Sequence, residues 1–193
     1  MKLFTNKDTT NSSAQLYILI DNDFLSEIFH DEDVLKEFLQ TFEKNYFLID
    51  PLTEFEFLRD VYEPTQRGLK KAFVAQSIFL PIPNRQEIFM KLWENAMLLS
   101  IIYSHKGHNK NAKISIVDLF LGARCMLNAG STLIITGNKK DFPSSIFDVM
   151  SIINLEQNDG NIKPYSVIGF NISKFDKCYN EIQKMEGRYD KAS

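Results

Sequence analysis

Cysteine is scarce in this chain. Cys125 and Cys178 are the only two in 193 residues, and their wide separation matches no disulfide framework or zinc pattern. Long apolar runs are missing too: no window approaches the roughly 18 consecutive apolar residues of a membrane span. The opening MKLFTNKDTTNSS lacks the apolar stretch of a signal peptide, so no membrane association and a cytoplasmic location are expected. There is no excess of basic charge, with Lys+Arg 22 against Asp+Glu 25 and a formal net charge of -3. That argues against a broad nucleic-acid-binding face, while leaving room for a local one where a bound cation changes the field that a phosphate meets. Internal repeats and low-complexity blocks are absent as well.

What is present is an apolar content of 44%, with 16 Phe, ample for a large core. The pattern alternates short apolar runs with helical stretches. Continuous runs at about 15–20, 46–49 and 132–136 read as buried strands. Helices are expected over about 23–29, 33–44, 53–62, 66–79, 85–104 and 116–128, the last ended by Gly130. Residues 104–113 read as a polar loop. Beyond 144 two β-like runs, 147–155 and 163–170, flank the turn-rich Asn158-Asp159-Gly160-Asn161, before a helix at about 174–185. Residues 1 to about 14 read as a loosely held polar lead. Alternation of this kind predicts an α/β fold with a central, mainly parallel sheet, helices on both faces and an antiparallel C-terminal addition.

Acidic residues fall at corners of that pattern. Asp21 ends the run Leu16–Ile20, and Glu54 lies in the helix turn after Phe47-Leu48-Ile49. Asp118 opens the helix VDLFLGARCML, and Asp141 closes TGNKKDF after Leu133-Ile134-Ile135. In an open parallel sheet, ligands bind beyond the carboxyl ends of the strands, most of all where the strand order reverses. Four carboxylates gathered there would repel one another unless a hard divalent cation neutralised them. Each has a structural reading as well. Asp21 and Asp23 suit a helix cap, Ser115 and Asp118 fit a capping box, Glu54 suits a first helical turn, and Asp141 suits a turn before Phe142-Pro143.

These segments resemble the PIN domain family, the nuclease fold of VapC-type toxins and of several RNA-processing enzymes. YILIDNDFLSEIF is similar to the family's opening strand and Asp-x-Asn motif, with Asp23 where asparagine is usual. PLTEFEFLRD is similar to the segment that carries the family's glutamate. VDLFLGARCMLNAGSTLIITGNKKDF resembles the segment that carries its last two acidic motifs. The resemblance spans about residues 15–143. It implies a PIN-like three-layer α/β/α core at 1–143 and an extension at 144–193 packed on or extending it. It further implies Mg2+ or Mn2+ held by Asp21, Glu54, Asp118 and Asp141, which would also be the catalytic residues. Asp23, Thr136 and Asn138 would support them, and Lys139 and Lys140 would contact RNA. The expected activity is endoribonucleolytic hydrolysis by metal-activated water, leaving a 5′-phosphate and a 3′-hydroxyl. A cognate antitoxin and a homodimer are expected partners on the toxin reading, and a noncatalytic RNA-binding scaffold is the rival. Lys106, His108, Lys110 and Lys113, on the loop before Asp118, would widen a basic track.

Overall fold

The computed structural model describes residues 2–5, 15–82, 85–105, 114–157 and 159–189. Its centre is a seven-stranded sheet among the described residues, flanked by helices. Strand β2 (Tyr17–Ile20) leads into α1 (Asn22–His30) and α2 (Glu32–Thr41), which return the chain to β3 (Tyr46–Leu48). Helices α3 (Pro51–Arg59) and α4 (Pro64–Val74) lead to β4 (Phe79–Leu80). Then α5 (Gln86–His105) and α6 (Ile116–Leu127) carry the chain back across to β5 (Thr132–Thr136). The last elements are β6 (Phe147–Glu156), β7 (Ile162–Phe170) and α7 (Ile172–Tyr189), while β1 (Lys2–Thr5) opens the chain.

The strand order is β1-β6-β7-β5-β2-β3-β4. β5, β2, β3 and β4 run parallel, and β7, β6 and β1 continue the sheet antiparallel. From β2 the chain steps outward through β3 to β4, then crosses to the other side of β2 to form β5. The strand order therefore reverses between β2 and β5, and it is beyond the carboxyl ends at such a reversal that open α/β sheets form their ligand crevice.

Successive residues of β2 point to opposite faces, so one short strand feeds two cores. Leu19 and Ile134 pack with α5, α6 and α7, among them Leu99, Leu121 and Cys178. Ile18, Ile20 and Ile135 pack with α1 to α4 through Phe24, Phe38, Phe57 and Phe73. Cys125 and Cys178 are both buried free thiols. Burial pushes the Cys125 thiol up to about 12, and the side chain behaves as a small apolar group. Among the described residues, no helix is long and apolar enough to cross a membrane.

Two elements differ from expectation. Residues 2–5 form strand β1 rather than a loose lead, because they pair with β6, Lys2 opposite Glu156. The helix expected over 66–79 stops at Val74. Phe79 and Leu80 are instead recruited as β4 by Phe47 and Leu48. Both strands exist only through distant partners, which local periodicity does not record.

Candidate functional site

Asp21 stands at the carboxyl end of β2, where it caps α1. Its Oδ1 accepts the Asn22 N–H at 2.7 Å, and its Oδ2 accepts the Thr136 hydroxyl at 2.7 Å. Thr136 is the last residue of β5 and is fully buried, so this bond ties the two strands together across the reversal. The Thr136 Oγ1 in turn accepts the Asn138 N–H at 2.9 Å, and the Asn138 side-chain amide donates to Asp141 Oδ2. Asp141 ends a short 3-10 turn, Lys139–Asp141, which carries Lys139 and Lys140 exposed to solvent.

Asp118 reaches the same region from the first turn of α6. Ser115 caps this helix, its hydroxyl accepting from the Val117 and Asp118 N–H groups. The capping-box geometry read from the sequence is thus present, and the carboxylate it positions is also a member of the cluster.

The electrostatics tie these groups to one another. Burial, then the charge of Asp23, push Asp21 up from 3.8 to about 7; Asp118 adds to the rise, and the Thr136 and Asn22 bonds oppose it. Asp118 is likewise pushed up to about 7, by burial first and then by Asp141, with Glu56 contributing. Tyr103, buried on α5, has its phenol held well above the ordinary value by burial and then by Asp118 and Asp141. Asp21, Asp118 and Asp141 therefore lie within one electrostatic neighbourhood. Two of its carboxyls, Asp21 and Asp118, would be about half protonated at neutral pH if no cation were near.

Glu54 does not join them. It is exposed and lines an open groove with Pro51, Ala75 and Ile82. The interactions that shift Asp21 and Asp118 do not include Glu54. The acid on α3 that Asp118 senses is Glu56, whose own carboxyl is raised by burial. Asp23 is half-buried and accepts the Gly137 N–H at 2.8 Å. Burial raises it, and the backbone bonds from Gly137 and Phe24 and the charge of Lys163 pull it back.

That lysine comes from β7. Lys163 donates to Glu27 of α1, and the Tyr165 hydroxyl donates to the same Glu27 oxygen at 3.0 Å. The sequence reading left Glu27, Lys163 and Tyr165 unassigned, and no local motif marks them. Of the basic side chains on α3 and α4, Arg59 pairs with Asp60, and Lys70 donates to the Phe57 carbonyl above that residue's ring. Lys106, His108, Lys110 and Lys113 lie outside the described residues.

Among the described residues, no three His, Cys, Asp or Glu side chains stand close enough to hold a metal between them. The donors nearest the crevice are all carboxylate, hydroxyl or amide oxygens, which suit hard cations and not the soft or nitrogen-seeking ones. Mg2+ binds through one or two carboxylates and keeps several waters, so a tight cage of three is not required of such a site. No family model matches the chain, and neither does any curated protein or solved structure.

Proposed function

We propose that this chain is a PIN-like, metal-dependent endoribonuclease that hydrolyses RNA phosphodiester bonds. The observation that carries the reading is the pairing of Asp21 with Thr136 across the strand reversal, with Asp118 and Asp141 in its electrostatic neighbourhood. Three acids drawn from a strand end, a helix start and a turn are costly to keep together without a cation. Binding one offsets that cost.

Asp21, Asp118 and Asp141 would hold Mg2+ or Mn2+, one or two of them directly and the rest through water, with Asp23 beside them. Such an ion supplies charge neutralisation for a scissile phosphate and lowers the pKa of water. The chain's own groups do the rest. Thr136 fixes the Asp21 carboxylate through one oxygen, and Asn138 fixes Asp141, so neither must reorient when substrate arrives. Glu56 takes the place expected for Glu54. Its raised carboxyl beside Asp118 suits it to accept a proton from the attacking water. Lys139 and Lys140, exposed next to Asp141, would hold the RNA backbone without reading bases. With water as the nucleophile and the 3′ oxygen as the leaving group, the products would carry a 5′-phosphate and a 3′-hydroxyl.

The test is cleavage of a mixed pool of end-labelled RNAs with Mg2+, Mn2+ or EDTA. Metal-dependent cleavage is expected for the native protein, with at least about a hundredfold loss in Asp118→Asn. Glu56→Gln is expected to lose about tenfold to a hundredfold and Glu54→Gln less than about twofold. Equal loss in the two glutamate variants would remove Glu56 from the mechanism. Absence of both cleavage and calorimetric Mn2+ binding would remove the nuclease reading.

A toxin controlled by a protein partner is a second reading, favoured by one observation. Phe89, Trp93, Met97 and Ile101 recur every fourth residue of α5 and are each more than two-fifths exposed. A strip of this kind suits a covering partner.

A further inference from the structure

Away from the acid cluster, α3, α5 and α6 border a cavity of about 160 Å³, open on one side. Leu92 and Phe120, both buried, and the half-buried Ile88 supply apolar wall. This is close to the roughly 150 Å³ of an engineered apolar cavity that accepts benzene. The wall also holds a buried ion pair. Arg124, only 8% exposed, donates its Nε–H to Asp50 Oδ2 at 2.6 Å. The other Asp50 oxygen accepts the Leu52 N–H at 2.9 Å. Both carboxylate oxygens are thus engaged. Among the described residues, nothing accepts from the Nη groups of Arg124, although the side chain lines the cavity.

The Nη groups are not fully buried; they reach the solvent of the cavity without a protein acceptor, so half of the guanidinium fork is open to an acceptor that enters there. Arg85, exposed at the edge of the same cavity, adds a second positive charge. Asp50 cancels one of the two, so the cavity carries a net charge of about +1. A complementary ligand has an apolar body the size of one ring and a single anionic group with two coplanar oxygens. We propose that this cavity binds a small aromatic or branched aliphatic monocarboxylate. Its apolar body would rest on Leu92 and Phe120 while its carboxylate meets the Arg124 Nη groups and Arg85.

The site is independent of the nuclease reading and is tested without RNA. Arg124→Gln would strand the buried Asp50 charge and unfold the chain for unrelated reasons. The informative variants are therefore Arg85→Gln, at the exposed edge, and Ile88→Trp, which fills the hollow. Benzoate, benzamide and benzylammonium are titrated into the full-length protein and followed by calorimetry and by protein-observed NMR. Benzoate is expected to saturate with a Kd at or below about 1 mM, and benzamide to bind about tenfold more weakly. Benzylammonium is expected to show no binding. Arg85→Gln is expected to weaken benzoate several-fold, and Ile88→Trp to abolish it. Equal binding of benzoate and benzamide would overturn the proposal, since water would then satisfy Arg124. Benzoate binding that survives Ile88→Trp, or no saturable binding at all, would overturn it equally.

Discussion

Asp21 is only 6% exposed, and its two hydrogen bonds do not keep its carboxyl in the usual range; burial and Asp23 outweigh them. Its folded-state pKa is raised, so folding is favoured by holding the proton. That contribution is fully present below about 3.8 and is lost as pH rises through about 7. In EDTA, the melting temperature is therefore expected to fall as pH goes from about 5 to about 8. Asp21→Asn keeps the shape and removes the charge, and should flatten that slope. The gain at pH 8 is at most about 4 kcal/mol, the equivalent of a rise from 3.8 to about 7. An unchanged slope in the variant would mean that Asp21 is not the group responsible.

At this scale the positions of Asp21, Asp118 and Asp141 at the ends of elements were legible in the sequence, because the apolar pattern dictates where those elements run. Thr136 and Asn138 entered only through the resemblance. The two glutamates of TEFEFLRD were not told apart. Asp50 and Pro51 set the start of α3, and Thr53 and Phe57 then define its buried face. Glu54 and Glu56 stand about 200° apart, on opposite flanks of Thr53 and Phe57, so helical phase does not rank them. Only the packing around α3 leaves Glu54 exposed and Glu56 half-buried.

Among the elements, the turn after β5 is the most constrained. A Cβ on Gly137 would meet Asp23 Oδ2 at 2.5 Å and the Tyr165 ring at 3.1 Å. Its backbone angles are ordinary, so the requirement is for close approach and not for a left-handed conformation. Gly137→Ala is expected to push Asp23 away from the backbone N–H it now accepts, at a cost of about 1 to 3 kcal/mol. A melting temperature and a cleavage rate both equal to native would show that this approach is dispensable. The short strands β1 and β4 lay beyond sequence reading for a different reason. Two or four residues carry too little periodicity to mark a strand, and only pairing makes them one.

For the molecule as a whole, residues 147–170 do more than lengthen the sheet. β7 covers the flank of β5, pairing Thr136 with Ser166, and brings Lys163 and Tyr165 to the side of Glu27 and Asp23. A chain ending after Pro143 would expose the β5 edge and lose Ile153, Leu155, Tyr165 and Val167 from the core. It is expected to aggregate on expression, because an unpaired apolar edge templates further pairing. A soluble 1–143 fragment with a cooperative melt would contradict this.

The pairing of β1 with β6 bears on how the protein is made. Lys2 is synthesised some 150 residues before its partner Glu156. That pairing therefore forms only after Glu156 has been made, and long loops must be drawn together before it is rewarded. All four aspartates, Asp21, Asp23, Asp118 and Asp141, are synthesised before Lys163 and Tyr165 arrive to complete their surroundings. A nascent chain can thus display every acid of the crevice while its architecture is still unfinished.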